Sequence, residues 1–409
     1  MPPSPRVRRR RRAFVASTIL VALAIAAAFY VPITLSAPVT PVTATATAYT
    51  TPTTPATPIS MPTYGSSGIS AVGYPGLLAK GGTDQPLAIG SITKIITALI
   101  VLQKKPLALG QAGPDITFTE QDVAIRAAYL ARDGEVYPVT VGAQISESDV
   151  LTTALVASAN NYARALVDWA FGSEANYVPI AKAWLKSHGL TSTTLTDCTG
   201  MDPTDRSTPT DLIALGKLAL ANPVIAKIVD TKQTTMPVVG AITNTNLLLG
   251  TSGVHGIKTG TLDTAGASLL FESDFLVGTT RIQLIGAVID GPDHPTIDAK
   301  ITSIIKAVIA GFVNVPLVQA GQKFGTYTTE WGTTSELVAA RSASVVLWSG
   351  TPIQSAVSLR RVSVAAKGTQ EGTVDFTARG TTQSVPLVLS KALVDPGKWW
   401  RLTHPGRLS

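Results

Sequence analysis

A single cysteine, Cys198, stands in the 409 residues of this chain, so no internal disulfide can staple it and a packed core must hold it. A lone thiol of this kind reads as a small buried hydrophobe rather than a nucleophile. Histidine is almost as scarce: His188, His255, His294 and His404 are the only four, and their spacing matches no metal-ligand pattern. We therefore expect no metal and no cofactor. Charged residues make up only 14% of the chain, and none occurs between Arg12 and Lys80. The formal net charge of +7 comes almost entirely from Arg6 and Arg8 to Arg12; without these six the balance is 27 basic against 26 acidic residues. No cluster of Lys and Arg remains that could track a phosphate backbone, which excludes nucleic acid as a partner.

Hydrophobic residues reach 45%, enough for a sizeable core and more than one domain, and too many for a disordered chain. The Arg block (residues 1–12) is followed by an apolar run over residues 13–35. About 23 residues at 1.5 Å each give roughly 34 Å of helix, the thickness of a bilayer. The positive flank fixes the N-terminus on the cytoplasmic side, so the rest of the chain is expected outside, behind a single-pass anchor. Pro38 follows the small residues Leu35-Ser36-Ala37 and disfavours signal-peptidase cleavage, which favours a retained anchor. Residues 36–63, rich in Thr, Pro and Ala, read as a semi-rigid, polyproline-like linker.

Residues 64–312 mix helical periods with short strands, and residues 313–409 carry short alternating runs punctuated by Gly and Ser, the pattern of an all-β module. An apolar stretch over 92–102 is hydrophobic nearly all round and predicts a central buried helix. Further helices are expected over 147–156, 161–171, 180–187 and 209–221. Residues 269–272 and 282–289, joined by a turn containing Gly278, predict a hairpin.

Three short motifs occur in order: Ser91-Ile92-Thr93-Lys94, Ser158-Ala159-Asn160 and Lys258-Thr259-Gly260. Each alone is weak, since Ser303-Ile304-Ile305-Lys306 repeats the first in what reads as an ordinary helix. Ser91, at the start of the buried helix, and Lys94, three residues on, share a face with Cβ atoms about 5–6 Å apart. Apolar surroundings disfavour an ammonium, so Lys94 can serve as a neutral base for Ser91. Ser158 and Asn160 lie between two helices, where a loop can aim a hydroxyl and an amide into a cleft; Asn161 is expected to cap the second helix. Lys258, Thr259, Gly260 and Thr261 lead into the strand hairpin, whose edge could pair with an extended peptide while Lys258 and Thr259 hold a carboxylate. On this reading Lys258 stays charged.

Together these motifs resemble those of serine penicillin-binding proteins and serine β-lactamases. The stretches AIGSITKIITALIVL, LVASANNYARAL, DCTGMDPTDRSTPTDLIALGKLAL and GIKTGTLDTAGASLLF are similar to those of low-molecular-weight D-alanyl-D-alanine carboxypeptidases, the S11 peptidases. The resemblance implies an α/β (α+β) fold of the β-lactamase/DD-peptidase type, a sheet flanked by helices with a small β domain behind it, in the bacterial envelope. It implies that peptidoglycan stem peptides are the substrate and β-lactams covalent inhibitors, with Ser91 acylated, Lys94 its base, Ser158 a proton relay, and Asn160, Lys258, Thr259, Gly260 and Thr261 at the substrate. The oxyanion hole would be the backbone N–H groups of Ser91 and Thr261.

Two departures stand out. The middle motif reads SAN where SGN is usual, and no arginine lies between Arg281 and Arg341, where relatives often place one against the substrate carboxylate. His294 in this region reads as a loop residue. The rival functions are a DD-endopeptidase, a β-lactamase, and a non-catalytic wall-binding scaffold. For the β-lactamase, the only glutamate between the second and third motifs is Glu174, at a helix end where it reads as a solvated acid.

Overall fold

The computed structural model describes residues 5–408; residues 1–4 of the expected basic segment and Ser409 lie outside the described residues. The chain forms two compact units. One is contiguous, Ala56–Val313; the other combines residues up to Pro55 with those from Asn314 on.

The first helix, α1 (Pro5–Ser36), contains the whole apolar run and is long and apolar enough to cross a membrane. Thr34 is its one residue buried within the protein, so its apolar face has no protein core to cover it.

The contiguous unit is built on a five-stranded antiparallel sheet. Its strands are β1 (Ser66–Ala71), β2 (Ala79–Gly82), β3 (Val254–Leu262), β4 (Gly266–Val277) and β5 (Thr280–Gly291), in the order β3-β4-β5-β1-β2. The expected hairpin is β4-β5, longer at both ends than the hydrophobic runs alone indicated. Both faces of these strands are covered. Leu270, Ile285, Ala287 and Ile289 join the main helical core, while Leu269, Phe271, Leu284 and Val288, which the pleat turns to the opposite face, are buried as well. Helix α7 (Pro209–Ala221) packs on β1 and β5, and helix α9 (His294–Gly311) packs on β4 and β5. Gly216 lets α7 come close: a Cβ there would sit 2.9 Å from Ile285 and 3.1 Å from Ile257.

The helical region contains α2 (Thr93–Lys104), α3 (Glu120–Leu130), α4 (Glu147–Val156), α5 (Asn160–Phe171), α6 (Glu174–Ser187) and α8 (Pro223–Val229). Helix α2 is buried on nearly every side, as its all-round apolar sequence predicts. Helix α6 starts six residues earlier than expected, because Ser173 caps it by accepting the Asn176 N–H and Pro179 is carried inside it. Ser303 and Lys306 are both exposed along α9, so the second Ser-x-x-Lys is a solvent-facing helix stripe.

The second unit has a six-stranded antiparallel sheet around Phe324, Tyr327, Leu337, Val374, Phe376 and Leu387. One of its two edge strands is Thr45–Ala46, paired with Thr326 and Gly325, and Val42–Thr43 pairs with Arg361–Val362. Tyr49 stacks on Phe324 at 5.4 Å and meets Phe376 edge-on at 5.5 Å. Residues 38–55 are thus part of a folded β unit and not the free spacer that composition suggested. The alternation of Val, Thr and Ala that reads as low complexity is also a strand pattern, with Ala44 turned into the core.

Candidate active site

Ser91 lies in a single 3-10 turn, Gly90–Ile92, that runs directly into α2. Its Oγ accepts a 2.7 Å hydrogen bond from Lys94 Nζ, whose other partner is the carbonyl of Thr199 at 3.0 Å. Both partners are neutral, and Lys94 is only 1% exposed. Burial therefore lowers the Lys94 ammonium to about 7, with Asp197 and Glu135 opposing the shift. At neutral pH a large fraction of the side chain is the free amine, with its lone pair available to the serine hydroxyl.

The Thr199 carbonyl is held by a turn at the start of the stretch DCTGMDPTDRSTPTDLIALGKLAL, to which sequence reading gave no site role. Asp197 accepts the N–H groups of Thr199, Gly200 and Asp202 at 2.5, 2.6 and 2.7 Å. Asp-x-x-Gly is an Asx-turn signature, so this arrangement was signalled in the sequence. The turn is anchored from behind by Glu174, which accepts the Cys198 N–H at 2.9 Å and pairs with Arg164 at 2.9 Å. Glu174 is therefore a structural brace, correcting the expectation of a solvated acid. Beneath the same turn Asp205, fully buried, takes the Thr196 N–H at 2.6 Å, and burial raises its carboxyl to about 7.

Three backbone segments meet at Ser91 with no room for side chains. A Cβ on Gly260 would sit 2.2 Å from the Ile89 carbonyl, and one on Gly200 1.8 Å from that of Gly90. Gly90 has φ +52°, and its own Cβ would meet the Thr261 nitrogen at 2.9 Å. Glycine in Lys258-Thr259-Gly260 is thus required by the approach of β3 to the turn carrying the serine.

Ser158 occupies the junction of α4 and α5 in the left-handed region, φ +59°, a conformation that costs a non-glycine residue roughly 1–3 kcal/mol and clusters at functional sites. Asn160 begins α5; its Oδ1 is buried and lacks a hydrogen-bond partner among the described residues. Asn161 does not cap α5 with its side chain. It accepts the Tyr137 N–H at 3.1 Å and donates to the Tyr137 carbonyl at 3.0 Å, fastening the adjacent loop.

Lys258 and Thr259 lie on β3, an outer strand of the sheet. Lys258 is 1% exposed and makes only long contacts, 3.3 Å to Thr259 Oγ1 and 3.4 Å to Thr245 Oγ1. Burial first, and Lys94 second, push its ammonium well below the ordinary lysine range. This departs from the expectation that Lys258 stays charged: its side chain is buried close to Lys94, and no carboxylate pairs with it among the described residues. His294, expected in a loop, is the first residue of α9, where its Nε2 lies 2.8 Å from Thr261 Oγ1. Burial and Lys258 lower the His294 imidazolium below 6.5.

These groups line one cleft. Ser91, Ser158, Asn160, Thr245, Thr259 and Thr261 form its walls; Lys94 and Lys258 are buried in them. Arg132, Glu135, Asp263 and His294 also line it. Sequence reasoning missed Arg132, Thr199 and Thr245, because each acts from a segment outside the three motifs.

The model of the peptidase S11 family, described as D-alanyl-D-alanine carboxypeptidase, matches residues 76–292. Among curated relatives, D-alanyl-D-alanine carboxypeptidase DacC of Escherichia coli is 27% identical over 341 residues, covering 80% of this chain and 83% of that protein. A D-alanyl-D-alanine endopeptidase of Pseudomonas aeruginosa is 29% identical over 197 residues, 46% of this chain and 60% of that protein. Penicillin-binding protein 5 of Haemophilus influenzae shares the fold with a TM-score of 0.56 at 20% identity, over 85% of this chain and all of that one. The chain therefore belongs to the S11 peptidases and is a serine-type D-alanyl-D-alanine carboxypeptidase.

Proposed function

We propose that this carboxypeptidase removes the terminal D-alanine from peptidoglycan stem peptides through an acyl-enzyme on Ser91. The observation that carries the reading is the 2.7 Å contact between Ser91 Oγ and a Lys94 amine held by neutral partners alone. The Ser91 hydroxyl proton passes to Lys94 Nζ as Oγ attacks the carbonyl carbon of the penultimate D-alanine. The resulting oxyanion is taken by the backbone N–H groups of Ser91 and Thr261; one such donor is worth roughly 3–4 kcal/mol in the transition state. The C–N bond then breaks, and the leaving amine takes a proton relayed through Ser158 from Lys94. Water attacks the ester next, giving its proton to the Lys94 amine, and Ser91 is released with its hydroxyl restored.

The peptide lies extended along β3, and its N–H satisfies the orphaned Asn160 Oδ1. Its terminal carboxylate meets Thr259, Thr261 and His294, with Lys258 behind them; the anion supplies the counter-charge that lets Lys258 take up a proton. A β-lactam follows the same first step and stays as the Ser91 ester. The bracing of Glu174 by Arg164 and the Cys198 N–H disfavours a β-lactamase that would use that residue to activate water. With α1 as a retained single-pass anchor, both folded units act on the outer face of the cell membrane.

Incubation with a defined pentapeptide muropeptide, followed by mass spectrometry, tests this. Loss of one alanine, abolished in Ser91→Ala, is expected. Folded protein that releases no alanine, or a β-lactam adduct mapping to Ser303, would refute it.

A further inference from the structure

Residues 132–135, the turn that follows α3, line the cleft beside Ser91 apart from the groups that carry the reaction. The turn is fixed in place. The Asn160 N–H donates to the Glu135 carbonyl at 2.8 Å, and the N–H groups of Arg132 and Gly134 both donate to the Tyr129 carbonyl, at 3.0 and 2.9 Å. A Cβ on Gly134 would sit 2.7 Å from Asn160 Nδ2 and 2.7 Å from Met201 Sδ, so this backbone lies directly against Asn160. Within the turn Asp133 is held in the left-handed region, φ +57°, a strain that persists only where the surroundings impose it.

Arg132, Asp133 and Glu135 are exposed along this wall. The Arg132 guanidinium makes no hydrogen bond or ion pair among the described residues, although it lies near enough to Asp202 to add, after the Thr204 bonds, to the lowering of that carboxyl. Glu135 is close enough to Lys94 and Lys258 to oppose the lowering that burial imposes on both. With His294 given to the terminal carboxylate, the open lining sets Arg132 against Asp133, Glu135 and Asp263. A purely anionic group would meet three carboxylates here, and a purely cationic one an unpaired guanidinium. A group that carries a carboxylate and an ammonium together complements both.

The register along β3 says which part of the substrate comes to this wall. With the terminal carboxylate at Thr259 and the reacting carbonyl at the Thr261 N–H, the residue before the two D-alanines continues toward Leu262 and Asp263, at about 3.3 Å per residue of extended chain. Leu262 and Met201 add apolar lining that suits the methylenes of a long side chain. We infer that Arg132 selects the residue preceding the two D-alanines, and that this residue is a diamino dicarboxylic acid. Its side-chain carboxylate takes the Arg132 guanidinium, and its side-chain ammonium lies among Asp133, Glu135 and Asp263. The inference rests on the stem-peptide reading of the cleft and names the substrate class within it.

Three N-acetylated tripeptides ending in D-Ala-D-Ala test this on the full-length protein. The first carries the free diamino dicarboxylic acid ahead of the alanines, the second the same residue with its side-chain carboxylate amidated, and the third lysine, which has the ammonium alone. Alanine release is expected to show a kcat/KM for the first about tenfold above the other two, chiefly through KM. In Arg132→Gln that ratio should fall to about one, whereas Arg132→Lys, which keeps the charge without the planar fork, should retain part of it. Taking the ratio within each variant cancels any general loss of activity or of folded protein. An unchanged ratio in Arg132→Gln, or no preference in the wild type, overturns the role of Arg132 and leaves the carboxypeptidase reading intact. Alanine released from none of the three, by protein that a fluorescent penicillin still labels on Ser91, overturns both.

Discussion

As the base proposed for Ser91, Lys94 has to be neutral to receive the proton, and its burial sets the pH range in which acylation is expected. Its folded value of about 7 lies below its ordinary 10.5 because burial disfavours the ammonium. Below pH 7 the amine is progressively protonated, so β-lactam acylation should fall about tenfold per pH unit, and above pH 7 it should level off. Rates with a fluorescent penicillin between pH 5 and 9 measure this; a flat profile across pH 7 would remove Lys94 as the base. Stability carries the same sign. Between about pH 7 and 10.5 the unfolded chain holds a proton that the folded one has released, so this group makes the fold more stable as pH rises through that window. Substitutions separate the two lysines. Lys94→Arg cannot deprotonate and should abolish acylation, whereas Lys258→Arg keeps the charge that a carboxylate stabilises and should retain a larger share. Equal losses in both variants, with the fold intact, would contradict the separation. The Ser91–Lys94 pair was legible because three-residue spacing on a helix fixes a shared face. The low ammonium pKa of Lys258 was not, since it arises from burial and from Lys94, a residue far away in sequence.

Elements meet at the active site through backbone, and their tolerance of change follows. Gly260→Ala would drive a methyl into the Ile89 carbonyl and force β3 away from the serine turn. We expect a loss of roughly 1–3 kcal/mol of stability, with acylation reduced further because Thr261 moves too. Thermal unfolding and penicillin labelling would show both; a variant as stable and reactive as wild type would mean that β3 can give way at no cost. Glu174 acts at one remove, through the Cys198 N–H and the Thr199 carbonyl on Lys94. Glu174→Gln should lower acylation about tenfold, or ~1.4 kcal/mol, and shift the pH midpoint, which a merely destabilising change would leave in place. Helices α2, α4 and α7 were readable from apolar patterning bounded by caps or proline. Helix α3 escaped notice because only Tyr129 of its eleven residues is buried, which leaves no apolar stripe to detect. His294 was misplaced because a His-Pro pair after Asp293 reads as a turn, while here Asp293 caps α9 by accepting the Thr296 N–H at 2.7 Å.

At the scale of the molecule, the Thr/Pro/Ala stretch after α1 serves the β unit. Tyr49 sits against Phe324 and Phe376 and donates its hydroxyl to the Leu317 carbonyl. Tyr49→Ala should cost the β unit roughly 2 kcal/mol for a half-buried aromatic, seen as a lowered unfolding midpoint of that unit with β-lactam acylation unchanged. Unaltered unfolding would return the segment to the status of a spacer. Composition alone could not reveal this, because a charge-free run of Thr and Ala is compatible with linker and edge strand alike, and its partners lie hundreds of residues away.

That distance bears on how the protein is made. Tyr49 and Leu317 are separated by 268 residues, and the whole catalytic unit, Ala56–Val313, is inserted between the two parts of the β unit. During synthesis the N-terminal strands emerge first and wait unpaired, while the contiguous catalytic unit can close as soon as its own last helix has emerged. A chain ended at Val313 should therefore still react with penicillin, and its residues 38–55 should be cut readily by protease, although the full-length chain protects them. Failure of the shortened chain to react would show that the catalytic unit matures only once the β unit has formed.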